Sequence, residues 1–181
     1  MADTPVLMGL GQNHYGTIEV PIGDLAIGTS PPVAGNTDLF RMYTFAAIND
    51  DSAFEILVPR DWLPGTNLSM QVYWACNETF ALGSGEVRWQ MITEPIAWAG
   101  TEVVGAGTAT TVSGTDTNIP TLARQLTTTT LTIDGTLVAV GELVRVRLLR
   151  IALAGGADPV ADPEVYRVVI HYTRKFPMFA I

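Results

Sequence analysis

Cysteine, lysine, histidine and net positive charge are all scarce in this chain, and each shortage narrows what it can do. The single cysteine, Cys76, rules out an internal disulfide framework. It sits in an alternating apolar run, where a buried structural thiol is expected rather than a nucleophile. Lys175 is the one lysine beside nine arginines, and charged residues are only 15% of the 181, against about a quarter in an ordinary soluble domain. A net charge of −8 leaves no clustered cations for nucleic acid and disfavours docking on an anionic membrane. With only His14 and His171 and no G-x-S-x-G run, no nucleophilic triad is expected. Gly105-Ala-Gly lacks the lysine and the following helix of a phosphate-binding loop. No apolar run reaches the ~18 residues of a membrane span, and Met1-Ala-Asp-Thr does not open a secretory signal. The expectation is a non-enzymatic protein, without a cofactor, made and assembled in a cytoplasm.

What the chain has is apolar content of 48% and a mean hydropathy of +0.27, which exclude disorder. Low charge with that composition predicts surface buried against other subunits. The pattern of the apolar residues is that of strands. Leu68, Met70, Val72, Trp74 and Cys76 alternate with Ser69, Gln71, Tyr73 and Ala75, and Val87, Trp89 and Met91 alternate with Arg88 and Gln90. Period two with β-branched and aromatic residues marks strands with one buried face. These two runs read as a hairpin around Gly83-Ser-Gly. Thr127 to Ile133 is a third β-run, closed by an Asp134-Gly135 turn. Phe40 to Ile48, Phe54 to Val58 and Thr108 to Val112 read as further strands, and Leu122 to Leu126 as a strand or one short helical turn. Val144, Val146 and Leu148 alternate with Arg145 and Arg147, and Val168, Ile170 and Tyr172 with Arg167, Val169 and His171. The last two read as strands paired in one sheet across the loop Ala154 to Pro163. About eight strands at regular spacing, without a convincing helical period, predict an antiparallel β-sandwich.

Residues 1–37 differ from the rest. Gly9, Gly11, Gly16, Gly23, Pro5, Pro21, Pro31 and Pro32 break their apolar pieces, too short for a helix and too apolar for a flexible linker. They read as an extended N-terminal arm lying on another surface, with the sandwich domain over 38–181. Leu7, Leu10, Ile18, Val20 and Ile22 are its candidate interface residues. Arg145, Arg147 and Arg167 are the others: with both strands in one sheet, they share its outer face, either as a solvated face paired with scattered Asp and Glu or as a seam against acidic groups of a neighbouring subunit.

Other constellations are weaker. Asp158, Asp162 and Glu164 gather three carboxylates in one loop, without the spacing of an EF-hand. A solvated acidic loop is the preferred reading, with a calcium ion the alternative. His14 has no second ligand nearby, so no metal site is expected. Glu86 and Glu94 are ~26 Å apart along an extended strand, too far to act as one pair. Trp62 and Trp98 lie near turns, where core or interface packing is the usual use and stacking on sugars the alternative.

The order of Leu68-Ser-Met-Gln-Val-Tyr-Trp-Ala, Gly85-Glu-Val-Arg-Trp-Gln, Thr129-Thr-Leu-Thr-Ile, Gly141-Glu-Leu-Val-Arg-Val-Arg-Leu-Leu-Arg and Tyr166-Arg-Val-Val-Ile-His-Tyr resembles the jelly-roll structural proteins of tailed bacteriophages and related viruses. The resemblance covers about Trp62 to Tyr172. It implies a jelly-roll fold, a homo-oligomer with a trimer preferred, a place on a virion, and a role as a capsid decoration or cement subunit bound to the major capsid protein or another virion protein. The alternative it leaves is a receptor- or glycan-binding module of a tail or head fibre.

Overall fold

The computed structural model describes residues 15–21, 25–27, 32–37, 40–77, 85–96, 108–159 and 161–175. Among them the chain forms strands β1 (Tyr15–Val20), β2 (Ala26–Ile27), β3 (Val33–Thr37), β4 (Phe40–Thr44), β5 (Asp51–Leu57), β6 (Leu68–Cys76), β7 (Glu86–Ile96), β8 (Thr110–Ser113), β9 (Thr117–Asn118), β10 (Thr127–Ile133), β11 (Leu143–Ile151) and β12 (Pro163–Thr173). There is no helix among the described residues. Two antiparallel sheets result. The first runs β10-β6-β12-β4-β3, with β1 also on β12; the second runs β2-β5-β11-β7-β8, with β9 also on β7. The fold is an antiparallel β-sandwich of jelly-roll type.

Alternation builds the core between the sheets. Leu68, Met70, Val72 and Trp74 of β6 face Val87, Trp89 and Met91 of β7 and Val144, Val146 and Leu148 of β11, all buried. Phe45 meets Trp89 edge-on at 5.0 Å and Trp74 meets it at 6.1 Å, contacts worth ~0.5–1.5 kcal/mol beyond the area they bury. The Trp74 indole donates to Thr129 Oγ1 at 3.0 Å, which satisfies the polar end of a fully buried ring. Cys76 is buried, as its place in the run predicts.

The strands are where alternation puts them, but the pairing differs from expectation. β6 pairs with β10 and β12, and β7 with β11, β8 and β9. The predicted hairpin over 68–92 is therefore an arch from one sheet to the other. In the same way β11 and β12 are not partners: β11 sits between β5 and β7, and β12 between β6 and the β1 and β4 edge. Residues 152–162, loosened by glycine and proline, carry the chain across the ~10 Å between stacked sheets. Leu122 to Leu126 form neither strand nor helix but an exposed turn, with Arg124 at φ 56°.

The described part of 1–37 belongs to the chain's own sheets. β1 pairs with β12 from Tyr15↔Thr173 to Val20↔Val168, β2 with β5, and β3 with β4. Val20 is buried and Ile18 packs against the core. Gly16 is what lets β1 lie so close, because a β-carbon there would run into the Tyr172 ring. A segment broken by glycine and proline joins the sandwich by borrowing the edge of a long strand, a possibility composition alone does not reveal. Leu7, Leu10 and Ile22 lie outside the described residues.

Candidate interaction faces

Each sheet turns one set of side chains to the core and the opposite parity outward, so the strand registers give the two outer faces row by row. On the second sheet the rows across β5, β11 and β7 are Leu57–Leu143–Ile96, then Glu55–Arg145–Glu94, then Ala53–Arg147–Ile92, then Asp51–Leu149–Gln90. Leu57 is 57% exposed, and Leu143, Ile96 and Ile92 are half-buried. The adjoining turn adds Leu137 and Val140, both exposed. An apolar row beside a row of alternating charge thus occupies one end of this face.

The two arginines of β11 have different tasks. Arg147 binds Asp51 through Nε at 2.9 Å and a terminal nitrogen at 2.8 Å. Asp51 is only 1% exposed, so this guanidinium supports a buried carboxylate. Arg145 is exposed between Glu55 and Glu94, directly opposite it on the neighbouring strands.

On the first sheet the rows across β10, β6, β12 and β1 are Thr132–Ser69–His171–Thr17, then Thr130–Gln71–Val169–Glu19, then Thr128–Tyr73–Arg167. Apart from Val169 these are hydroxyl, amide, imidazole, phenol and charged groups, and Val169 itself is covered, at 4% exposure. Gln71 Oε1 accepts from the Tyr73 hydroxyl at 2.8 Å and lies 3.0 Å from His171 Nε2. Arg167 pairs with Glu19 and sits 5.9 Å over the Tyr73 ring. Tyr15, at the end of β1 next to this plate, is 66% exposed.

The three arginines expected to share a face are therefore divided: Arg145 and Arg147 lie outside the second sheet, Arg167 outside the first. The expectation rested on β11 and β12 sharing a sheet, which they do not. Ile18 and Val20 face the core of their own chain.

The acidic loop is fastened rather than solvated alone. Arg150, buried at the end of β11, donates to the Phe45 and Ala46 carbonyls at 2.9 and 3.0 Å and reaches Asp158 at 3.4 Å and Asp162 at 3.8 Å. Asp116 accepts from the Ala154 and Gly155 amides, and Gly156, at φ 86°, leaves no room for a β-carbon beside Glu86. Glu164 takes the Tyr166 hydroxyl at 2.6 Å and faces Arg124 at 3.8 Å. These carboxylates are directed at cations and donors of the chain, and among the described residues no three metal-ligating side chains converge. Trp62 is fully buried, its indole donating to the Thr66 carbonyl at 3.2 Å, so it is not free to stack on a sugar. Trp98 and His14 lie outside the described residues.

Sequence reasoning singled out neither the Gln71–Tyr73–His171 cluster nor the Leu57 row. The signal was present in the outward parity of β6, β5 and β7, but only pairing brings those parities into rows.

No protein-family model matches the chain, and no curated protein matches it. Among solved structures it is similar to the CBM22-1-GH10 modules of Clostridium thermocellum endo-1,4-beta-D-xylanase 10B complexed with xylohexaose, at 16% identity over 90% of this chain and 28% of that one, with a TM-score of 0.46. It is also similar to the structure of infectious bursal disease virus Gx strain, at 10% identity over 99% of this chain and 37% of that one, with a TM-score of 0.45. Xylanase10C from Cellvibrio japonicus in complex with xylopentaose matches at 14% identity over 90% of this chain and 29% of that one, with a TM-score of 0.42. The chain spans well under half the length of each. Likenesses this weak carry no residue role over to it.

Proposed function

We propose that the chain is a non-enzymatic structural subunit of a virus particle, a decoration or cement protein that assembles as a homo-oligomer, preferably a trimer, on a capsid. The observation that carries the assembly part is the outer face of the second sheet, where Leu57–Leu143–Ile96 lies beside Glu55–Arg145–Glu94. Apolar side chains exclude water from a contact, and a row with both signs of charge can pair with its counterpart on another copy. The low charge of the chain and its resemblance to jelly-roll virion proteins supply the rest. Particles lacking the protein should bind the purified full chain in co-sedimentation and gain resistance to heat; no co-sedimentation with any capsid candidate would defeat the reading.

A second reading, a receptor- or glycan-binding module of a tail or head fibre, is favoured by one observation: the outer face of the first sheet is a closed array of hydrogen-bonding groups beside an exposed tyrosine.

A further inference from the structure

We infer that the outer face of the first sheet is a binding site for a neutral oligosaccharide, centred on Gln71 and His171 and flanked by Tyr15. The inference rests on the second reading above and deepens it by naming the site and the ligand class.

The hydrogen bonds within the plate decide what it offers. Gln71 Oε1 takes the Tyr73 hydroxyl, and with Nε2 protonated His171 donates to the same oxygen. An amide oxygen has two lone pairs, so both are occupied and the Gln71 amide N–H groups are left over as donors. In that tautomer His171 Nδ1 is left as an acceptor. A donor and an acceptor on adjacent strands, from two side chains that meet at 3.0 Å, match the vicinal hydroxyls of a sugar ring, each of which gives and takes a hydrogen bond. Thr130 and Thr132 on β10 and Ser69 on β6 extend the array in the same rows. Three strand spacings make the plate ~15 Å across, room for more than a single sugar.

Charge narrows the ligand class. Among the described residues the plate's exposed cation is Arg167, already paired with Glu19, and the chain as a whole carries −8. An anionic ligand such as a sialylated glycan or nucleic acid meets no free cation among the described residues of this face. A large apolar partner meets no aliphatic surface, because Val169 is covered. A neutral polyol fits both constraints, and the Tyr15 ring offers a flat apolar surface for the C–H face of a sugar.

The test is a titration of the full chain, followed by amide chemical shifts, with short neutral oligomers of glucose, mannose, galactose and N-acetylglucosamine, and with sialylated counterparts. The expected result is binding of at least one neutral oligomer, insensitive to salt, with shifts confined to β1, β6, β10 and β12. Gln71→Ala and Tyr15→Ala, at half-buried and exposed positions, should each weaken binding roughly tenfold without changing the fold. Binding of no oligomer, neutral or sialylated, would overturn both this site and the glycan-binding reading. Binding that Gln71→Ala and Tyr15→Ala leave unchanged would overturn the site alone. Binding restricted to sialylated oligomers and lost with salt would overturn the ligand class. A change in oligomer mass on Tyr15→Ala would make this face a subunit contact instead.

Discussion

The two outer faces of the sandwich rest on one core and differ in almost everything else. Under both, the inward parity is the same mixture of Val, Leu, Met and Trp. Outward, the first sheet shows Thr, Ser, Gln, Tyr and His, with its aliphatic Val169 covered and its ion pair closed. The second shows Leu57, Leu143 and Ile96 beside Arg145. A strand's period of two makes this possible, because changing outward residues leaves the packing beneath untouched. A polar face that closes its ion pair yet keeps donors and acceptors to spare is suited to a small hydrated ligand. One that leaves aliphatic rows in water is suited to a protein surface.

The most severe way to break one face alone is Gly16→Val. The added side chain has no room beside Tyr172, so β1 should lift from β12, taking Tyr15, Thr17 and Glu19 with it. Thermal or denaturant unfolding should show a loss of about 3 kcal/mol, saccharide binding should disappear, and the oligomer should keep its mass. Next comes Arg147→Ala, which leaves the buried Asp51 without its guanidinium and should cost about 1–3 kcal/mol of stability. Arg145→Ala, two residues away on the same strand, should change stability by less than ~0.5 kcal/mol while weakening self-association. That contrast separates the supporting arginine from the one available to a neighbour. Leu57→Asp should weaken association about tenfold, or ~1.4 kcal/mol, with the fold intact because Leu57 is exposed.

The smallest effect is on pH dependence. Asp134, in the turn after β10, accepts the Thr136 amide at 2.8 Å and the Thr136 hydroxyl at 2.7 Å, and these hold its carboxyl below the usual carboxylate range. A folded-state value below the unfolded one gives stability that is present above the unfolded value and is lost as pH falls through the folded one. Asp134→Asn should therefore flatten the acid-side decline in melting temperature slightly, below about pH 4, and leave both faces unchanged at neutral pH.

Much of this architecture was legible in the chain. Alternation located β6, β7, β11 and β12 and chose their inward residues, because burial imposes period two on each strand by itself, and the run of threonines located β10. Pairing was not legible, since nothing local distinguishes a hairpin from an arch between sheets: Leu68 to Ile92 has the alternation of either. That single ambiguity placed Arg167 beside Arg145 when a whole sandwich separates them. It also hid Gln71 and His171, adjacent in space and 100 positions apart in the chain. Long-range partners of this kind explain the loop as well, where Arg150 gathers Asp158 and Asp162 with carbonyls from the end of β4 onward. The membership of β1 in the sheet depended on Gly16 meeting Tyr172, again a contact between distant residues.

The central claim is that copies of the chain meet through the second sheet and leave the first one open. Light scattering after gel filtration, run side by side on the full chain, Leu57→Asp and Tyr15→Ala at micromolar concentration, tests it most directly. The account predicts a multiple of 19.4 kDa for the full chain and for Tyr15→Ala, and a shift toward the single-chain mass for Leu57→Asp. A monomeric full chain, or an oligomer that Leu57→Asp leaves intact and Tyr15→Ala dissolves, would contradict it.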